Sequence, residues 1–372
     1  MFLQVCKNKY NSFSFLNLAK FLIKDGYTAK NINVYDLSDQ QCLEIIKQYN
    51  PKVIFLKDYQ VISEELLKFL KKIKIKLIVS VGFPIPINFY KYFDFILFRN
   101  KELEYKYSKY TKFNKCIYHS IDEEAFKNIL NTKFKTRKYL ITFAGSIQSN
   151  TALNHYKRYN FLYNLLKKKY PLKVFANEIN SIYDIIRFYN FNCKNKYIYQ
   201  LFIYILKKIN FVLKKIRKKN SKIDILINDF NIVKNLDNPL YKGPLKNHFP
   251  KSIYNAKFDK DYFKILENSK LSLNIHTDIA GKIFNGNIRC FEATASGSAL
   301  IVEKKQYLDD CFSDNEVITY TNFEDLCEKI DYFNKNIDTA ETIAKLGRKR
   351  TLNDHTHKCR YNQIKNDIFN MF

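Results

Sequence analysis

Six short runs in the first third of the chain are apolar with almost no polar alternation: FLQVC (2–6), INVY (32–35), KVIFL (52–56), KLIVSVG (76–82), FDFILF (93–98) and CIYH (116–119). Among them lie FLNLAKFLIKDG, QQCLEIIKQY and SEELLKFLKKI, whose apolar residues recur every three or four positions. A strand that is apolar on both sides must be covered on both sides, and a helix following each strand supplies the cover. The pattern therefore predicts a parallel sheet wrapped by helices, a Rossmann-like domain over residues 1–135.

Residues 121–137 read as a polar connection, after which the alternation resumes. YLITFAGS (139–146) is a strand running into Gly145 and Ser146, followed by a polar loop, a helix from about Lys157 to Lys169 and the strand LKVFAN (172–177). Beyond Pro250 come a helix DYFKILENSK, a strand LSLNIHT, a loop, a helix NIRCFEATASG and a strand ALIVEK. A helix, a short strand EVITYT, the helix FEDLCEKIDYFNKN and a last helix complete the series. A second α/β domain over 136–372 is the expectation, interrupted at about 183–224 by a basic amphipathic helical insertion. In that insertion the 195–219 stretch sets an apolar stripe against Lys207, Lys208, Lys214, Lys215 and Lys218. Such a helix can lie on an anionic membrane surface, or it can pack on the protein's own core with its lysines in water.

With 46% hydrophobic residues over 372 positions, two cores of ordinary size can form. The longest apolar stretches, such as Tyr197 to Leu206, fall short of the roughly 20 residues that cross a bilayer. MFLQVCKNKY also lacks the charged start and long apolar core of a signal peptide, so a cytoplasmic location is expected. Eight cysteines without a Cys-x-x-Cys pair fit reduced thiols. His355, His357 and Cys359 in HTHKCR find no matching second cluster; we read them as the polar start of the last helix and assign no metal site. The net charge of +27 attracts polyanions, but 54 of the basic residues are Lys and nine are Arg, which argues against nucleic-acid recognition.

One stretch departs from this lysine-rich composition. Positions 280–299 hold three of the 8 glycines, four of the 13 alanines and one of the nine arginines. The strand LNIHT leads through DIAGKIFNG into a helix bearing Arg289 and Glu292, three positions apart on one face. Small residues after them let a strand or a ligand approach the backbone. Arg289 suits a diphosphate and Glu292 two adjacent sugar hydroxyls; the same pair also reads as an exposed salt bridge with Gly297 as a plain helix cap. Likewise Gly145 and Ser146 either receive a phosphate or sugar or simply make a tight turn.

The series N-x-R-x-F-E-A-T, G-x-x-L-I, E-V-x-x-Y and D-H-T, spread over Lys270 to Arg360, resembles the donor-binding half of GT-B glycosyltransferases, in particular the CgeB-like branch of the group 1 family. FAGS at 143–146 resembles the turn that opens that family's second domain. The resemblance implies two Rossmann-like domains with parallel sheets facing across a cleft, the C-terminal one holding a nucleotide sugar. It places Glu292 at the nucleotide ribose and Asn287, Arg289 and His276 at the diphosphate or sugar, with Gly145, Ser146 and Thr294 completing the donor site. Where the family often carries an acid eight residues before the glutamate this chain has Phe284, and GFP (82–84) stands for Gly-Asp-Pro, so neither stereochemistry nor a first-domain base is assigned.

The implied reaction is transfer of a sugar from a nucleoside diphosphate sugar to an acceptor hydroxyl, on a surface glycan or lipid-linked precursor, with no metal and no cofactor. Arg289 with Lys304 or Lys305 would meet the leaving-group charge, and His276 is the first choice of proton acceptor, His119 the second. The alternatives are a GT-B sugar-nucleotide epimerase and a non-catalytic basic protein that binds nucleic acid or membrane.

Overall fold

The computed structural model describes residues 1–6, 16–35, 37–126, 132–148, 153–176, 178–179, 244–276 and 288–371. The insertion at 183–224, with its 195–219 helix, lies outside them.

The first half alternates β1 (Phe2–Cys6), α1 (Leu18–Lys24), β2 (Ala29–Asn33), α2 (Asp39–Tyr49), β3 (Val53–Leu56), α3 (Glu64–Lys72), β4 (Lys76–Val81), β5 (Phe95–Phe98), α4 (Lys101–Tyr107) and β6 (Asn114–Cys116). The six strands form one parallel sheet in the order β2-β1-β3-β4-β5-β6. Alternate residues of each strand feed opposite cores: Leu3, Val5, Ile54, Leu56, Leu77 and Val79 join one with α2 and α3, while Phe2, Val53, Phe55, Ile78 and Phe95 join another with α1. Burial on both sides is why these runs show no polar alternation. The two edge strands begin earlier than the apolar runs suggest, at Ala29 and Asn114, because a half-exposed edge needs no continuous apolar run. Helix starts follow local chemistry: Ser38 caps α2 in a capping box with Gln41, and Ser63 caps α3.

A short helix α5 (Glu123–Phe126) lies in the connection, and the second half follows: β7 (Tyr139–Ala144), β8 (Ile147–Gln148), α6 (Leu153–Lys167), β9 (Leu172–Phe175), β10 (Glu178–Ile179), α7 (Leu245–His248), β11 (Ile253–Tyr254), α8 (Asp259–Glu267) and β12 (Ser269–Asn274). Then come α9 (Ile288–Ala295), β13 (Ala299–Glu303), α10 (Gln306–Cys311), β14 (Ile318–Tyr320), α11 (Phe323–Lys335), α12 (Ile337–Asp354) and α13 (His357–Phe369). A second six-stranded parallel sheet has the order β11-β9-β7-β12-β13-β14, and β8 pairs with β10 apart from it.

The chain ends by returning to the first half. α13 packs on the α1 side of the first sheet, where Tyr361 stacks on Phe21 at 5.4 Å and its hydroxyl donates to Asp25 at 2.6 Å. The segment HTHKCR does start this helix, with Thr356 as its cap, but it is buried rather than solvated: His355, Thr356 and His357 are 4%, 4% and 2% exposed. It clasps the two halves. Ile121 N–H donates to the His355 carbonyl at 3.0 Å and His357 N–H to the Ile121 carbonyl at 2.8 Å. Arg360 donates to the carbonyls of Tyr118, His119 and Asp354 and to His355 Nδ1, whose Nε2–H in turn meets the Cys311 carbonyl at 2.8 Å.

Each sheet reverses direction once: β1 lies between β2 and β3, and β7 between β9 and β12. At such a switch the helices leave to opposite faces, and a crevice opens at the carboxyl ends of the strands. A cavity of about 310 Å³ lies between the halves, lined by Asn100, Lys101 and Tyr118 from the first and Lys305, Tyr307 and Asp310 from the second. Lys101 reaches across it to Asp310 at 2.6 Å.

Candidate donor site in the second lobe

The switch of the second sheet brings the end of β7, Ala144–Gly145, beside the end of β12, Asn274 to His276. α9 enters the same place and lays Arg289 on the β7 turn. Its Nη1 donates to the Ala144 carbonyl at 3.3 Å. A Cβ on Gly145 would overlap Nη1 outright and stand 3.0 Å from Cζ. Gly145 has no positive φ, so the glycine serves this close approach and not a strained turn. Gly297, after α9, does have a positive φ of 74° and ends the helix as the cap expected of it.

Glu292 lies one turn along α9 from Arg289. It is 6% exposed, which removes the reading of an exposed salt bridge, and its Oε2 accepts from the Tyr262 hydroxyl at 3.1 Å. Burial raises the Tyr262 phenol well above its ordinary range, and the neighbouring Glu292 carboxylate adds to this, so the hydroxyl keeps its proton and donates. Thr294 belongs elsewhere. Fully buried, it bonds the Cys290 carbonyl at 2.9 Å and Thr351 Oγ1 at 2.6 Å, seating α9 on α12; a helical residue two beyond Glu292 points away from the crevice. Asn287 lies outside the described residues.

Residues 211–366 match the sequence model of a family described as glycosyl transferase-like. No curated protein sequence matches the chain. Among solved structures, a glycosyltransferase from Rickettsia africae superposes on 100% of this chain and 98% of its own, with a TM-score of 0.56 at 15% identity. Sucrose-phosphate synthase from Thermosynechococcus elongatus covers 100% and 99% with a TM-score of 0.60 at 8% identity. HepE of Anabaena, solved in complex with UDP-glucose, covers 99% of each chain with a TM-score of 0.59 at 8% identity. The chain has the GT-B fold.

Within the GT-B second lobe the crevice is strongly cationic. Arg158 is wholly buried; its Nε and Nη2 donate to the Ile275 carbonyl at 3.1 and 2.8 Å, and Nη1 to the Ser146 carbonyl at 2.6 Å. It thus ties the ends of β7 and β12 together, leaving the Ser146 side chain exposed. Sequence reasoning overlooked it, although an arginine in a helix after the Gly145 turn of a lysine-rich chain was a usable signal. Glu303, at the end of β13, is 7% exposed and pairs with Lys157 at 2.7 Å and Lys305 at 3.1 Å. Lys304 is exposed and contributes its backbone N–H to Tyr320.

His276 is 3% exposed, with Nε2 3.4 Å from the Tyr307 hydroxyl. Burial, then Lys305, Arg289, Arg158 and Lys157, push its pKa down to about 3. The imidazole is therefore neutral at physiological pH and a weak base, better suited to orienting a bound group than to taking a proton. His119 lies at the clasp between the halves, where its carbonyl accepts from Arg360.

Proposed function

We propose that this protein is a glycosyltransferase that moves a sugar from a nucleoside diphosphate sugar to an acceptor hydroxyl, the donor held by residues 136–372 and the acceptor by 1–135. The observation that carries the reading is the pairing of Arg289, seated on Gly145, with buried Glu292, held by Tyr262, at the switch point of the second sheet. The motif series of the C-terminal half supports the CgeB-like branch.

Glu292 accepts hydrogen bonds from the ribose hydroxyls, and Arg289 binds the diphosphate. As the bond from the anomeric carbon to the diphosphate oxygen breaks, the acceptor oxygen bonds to that carbon and releases its proton to water. The charge gathering on the leaving diphosphate is met by Arg289, Lys157 and Lys305, so the reaction needs neither metal nor cofactor. His276 remains neutral and orients the sugar. Among the described residues no helix is long and apolar enough to cross a membrane. Contact of the 195–219 segment with an anionic membrane would bring a lipid-linked or surface-glycan acceptor within reach.

The test is thermal stabilisation by UDP-, GDP- and CMP-sugars. One of them should raise the melting temperature in a saturable way, and Glu292→Ala and Arg289→Ala should abolish the rise. No response to any nucleotide sugar overturns the proposal.

A further inference from the structure

The crevice of the first lobe holds a cation that no acid among the described residues answers. Arg99 directly follows β5 and is 8% exposed. Its backbone N–H is fixed by the Val81 carbonyl at 2.9 Å, its stem lies against Gly82, and Nε donates to Ser80 Oγ at 2.6 Å. Beyond that the guanidinium is unspent: among the described residues no acceptor meets Nη1 or Nη2 and no carboxylate acts on it. The charged group that acts on it most is Arg360, which repels it. Two other buried arginines differ. Arg158 and Arg360 place every arm on a carbonyl or an imidazole.

Asn100 beside it also carries an unspent donor. Asn100 spends Oδ1 on the Leu103 N–H at 2.7 Å, and its buried Nδ2 has no acceptor among the described residues. Lys57, the first residue after β3, stands at the switch point with Asp58 beside it. Burial pushes its ammonium down to about 8, and Arg99 adds to the repulsion. Asn100 and Lys101, which follow Arg99 directly in the chain, line the cavity that Lys305 and Tyr307 close from the second lobe. A buried guanidinium with no counter-ion is strongly unfavourable, and two parallel N–H donors with a second cation nearby match a dianionic phosphate.

We infer that the first lobe carries an anion-binding subsite in which Arg99, braced by Ser80 and flanked by Lys57 and Asn100, takes a phosphate group of the acceptor. That the phosphate belongs to an acceptor rests on the transferase reading above; the subsite itself does not. A soluble sugar phosphate and an isoprenoid diphosphate present the same chemistry.

The experiment is thermal shift and calorimetric titration of the full chain with inorganic phosphate, against chloride at matched ionic strength. Wild type should be stabilised saturably. Arg99→Gln should start at or above the wild-type melting temperature, since it removes an unanswered charge, and bind phosphate at least about tenfold more weakly. Arg99→Lys should retain part of the response, and in Arg289→Ala the Arg99-dependent part should persist while any phosphate binding in the donor crevice is lost, which separates the two sites. Should Arg99→Gln fail to fold, the graded response of Arg99→Lys and Ser80→Ala decides. Repeating the titration with glucose 6-phosphate and farnesyl diphosphate identifies the source, the tighter Arg99-dependent ligand being the acceptor type. Phosphate binding that is the same in Arg289→Ala and in the Arg99→Gln, Arg289→Ala double variant, or no binding to wild type, overturns the inference and leaves the donor reading intact. Arg99-dependent phosphate binding without any nucleotide-sugar response does the reverse.

Discussion

The two lobes share a topology, six parallel strands with one reversal, yet the crevices at their switch points handle charge differently. In the second lobe the cations are held before any ligand arrives: Arg289 by the Gly145 turn, Arg158 by three contacts to two carbonyls, Lys157 and Lys305 by Glu303. In the first lobe, among the described residues, the Arg99 guanidinium is held at Nε alone. Topology decides where a crevice opens, and the partners of its charged groups decide whether it is set in advance or completed by what it binds. On the proposed reading the second lobe is set for a constant ligand part, a ribosyl diphosphate, and the first is completed by a bound anion.

Acid should separate the lobes' clasp from the donor crevice with the largest effect. His276, His355 and His357 are buried, and their folded-state pKa values fall below the unfolded value, to about 3 for His276, about 4 for His355 and downward for His357. The unfolded chain therefore binds more protons, so stability is complete above about pH 7 and is lost as pH falls from about 6.5 toward 4. Denaturant titrations should lose on the order of several kcal/mol over that window. His355→Gln should flatten the slope by loosening the clasp, and a slope unchanged by that variant would break the assignment. Next, Arg158→Ala should cost about 3–5 kcal/mol, because it strands the Ile275 and Ser146 carbonyls and opens a cavity at the sheet ends; a loss under 1 kcal/mol would show that the tie is dispensable.

Smaller effects sharpen the donor crevice. Gly145→Ala should displace the Arg289 guanidinium and weaken donor binding about 10- to 100-fold, roughly 1.4–2.8 kcal/mol, with little change in melting temperature. Thr294→Val should cost about 1 kcal/mol of stability and leave donor affinity untouched, since its hydroxyl serves the α9–α12 contact. An affinity loss there would return Thr294 to the crevice.

Much of the fold was legible because strands buried on both faces write themselves as continuous apolar runs, and α9 with its small residues stood out against a lysine-rich background. Contacts across the sequence were not. That Gly145 exists for Arg289, 144 positions away, or that Tyr262 holds Glu292, depends on strand order, which periodicity does not encode. The +27 net charge pointed outward to partners, yet arginine carried the better signal. Arg99, Arg137, Arg158 and Arg360 are all under 10% exposed, each where a rigid fork of donors is needed and a lysine would leave carbonyls or ligands unmet. In a chain drifting toward lysine, the arginines that remain mark structure and site. The histidines carried less: His276 at a strand end reads as a base, while its burial among four cations pushes its pKa down and favours the neutral imidazole.

The central claim is that Glu292 and Arg289 form a nucleotide-sugar site, and calorimetric titration of wild type and Glu292→Ala with the sugar nucleotide that stabilises the protein tests it most directly. The account predicts one saturable site in wild type and at least about a 100-fold loss in the variant, some 2.7 kcal/mol. Equal affinity in both proteins would contradict it.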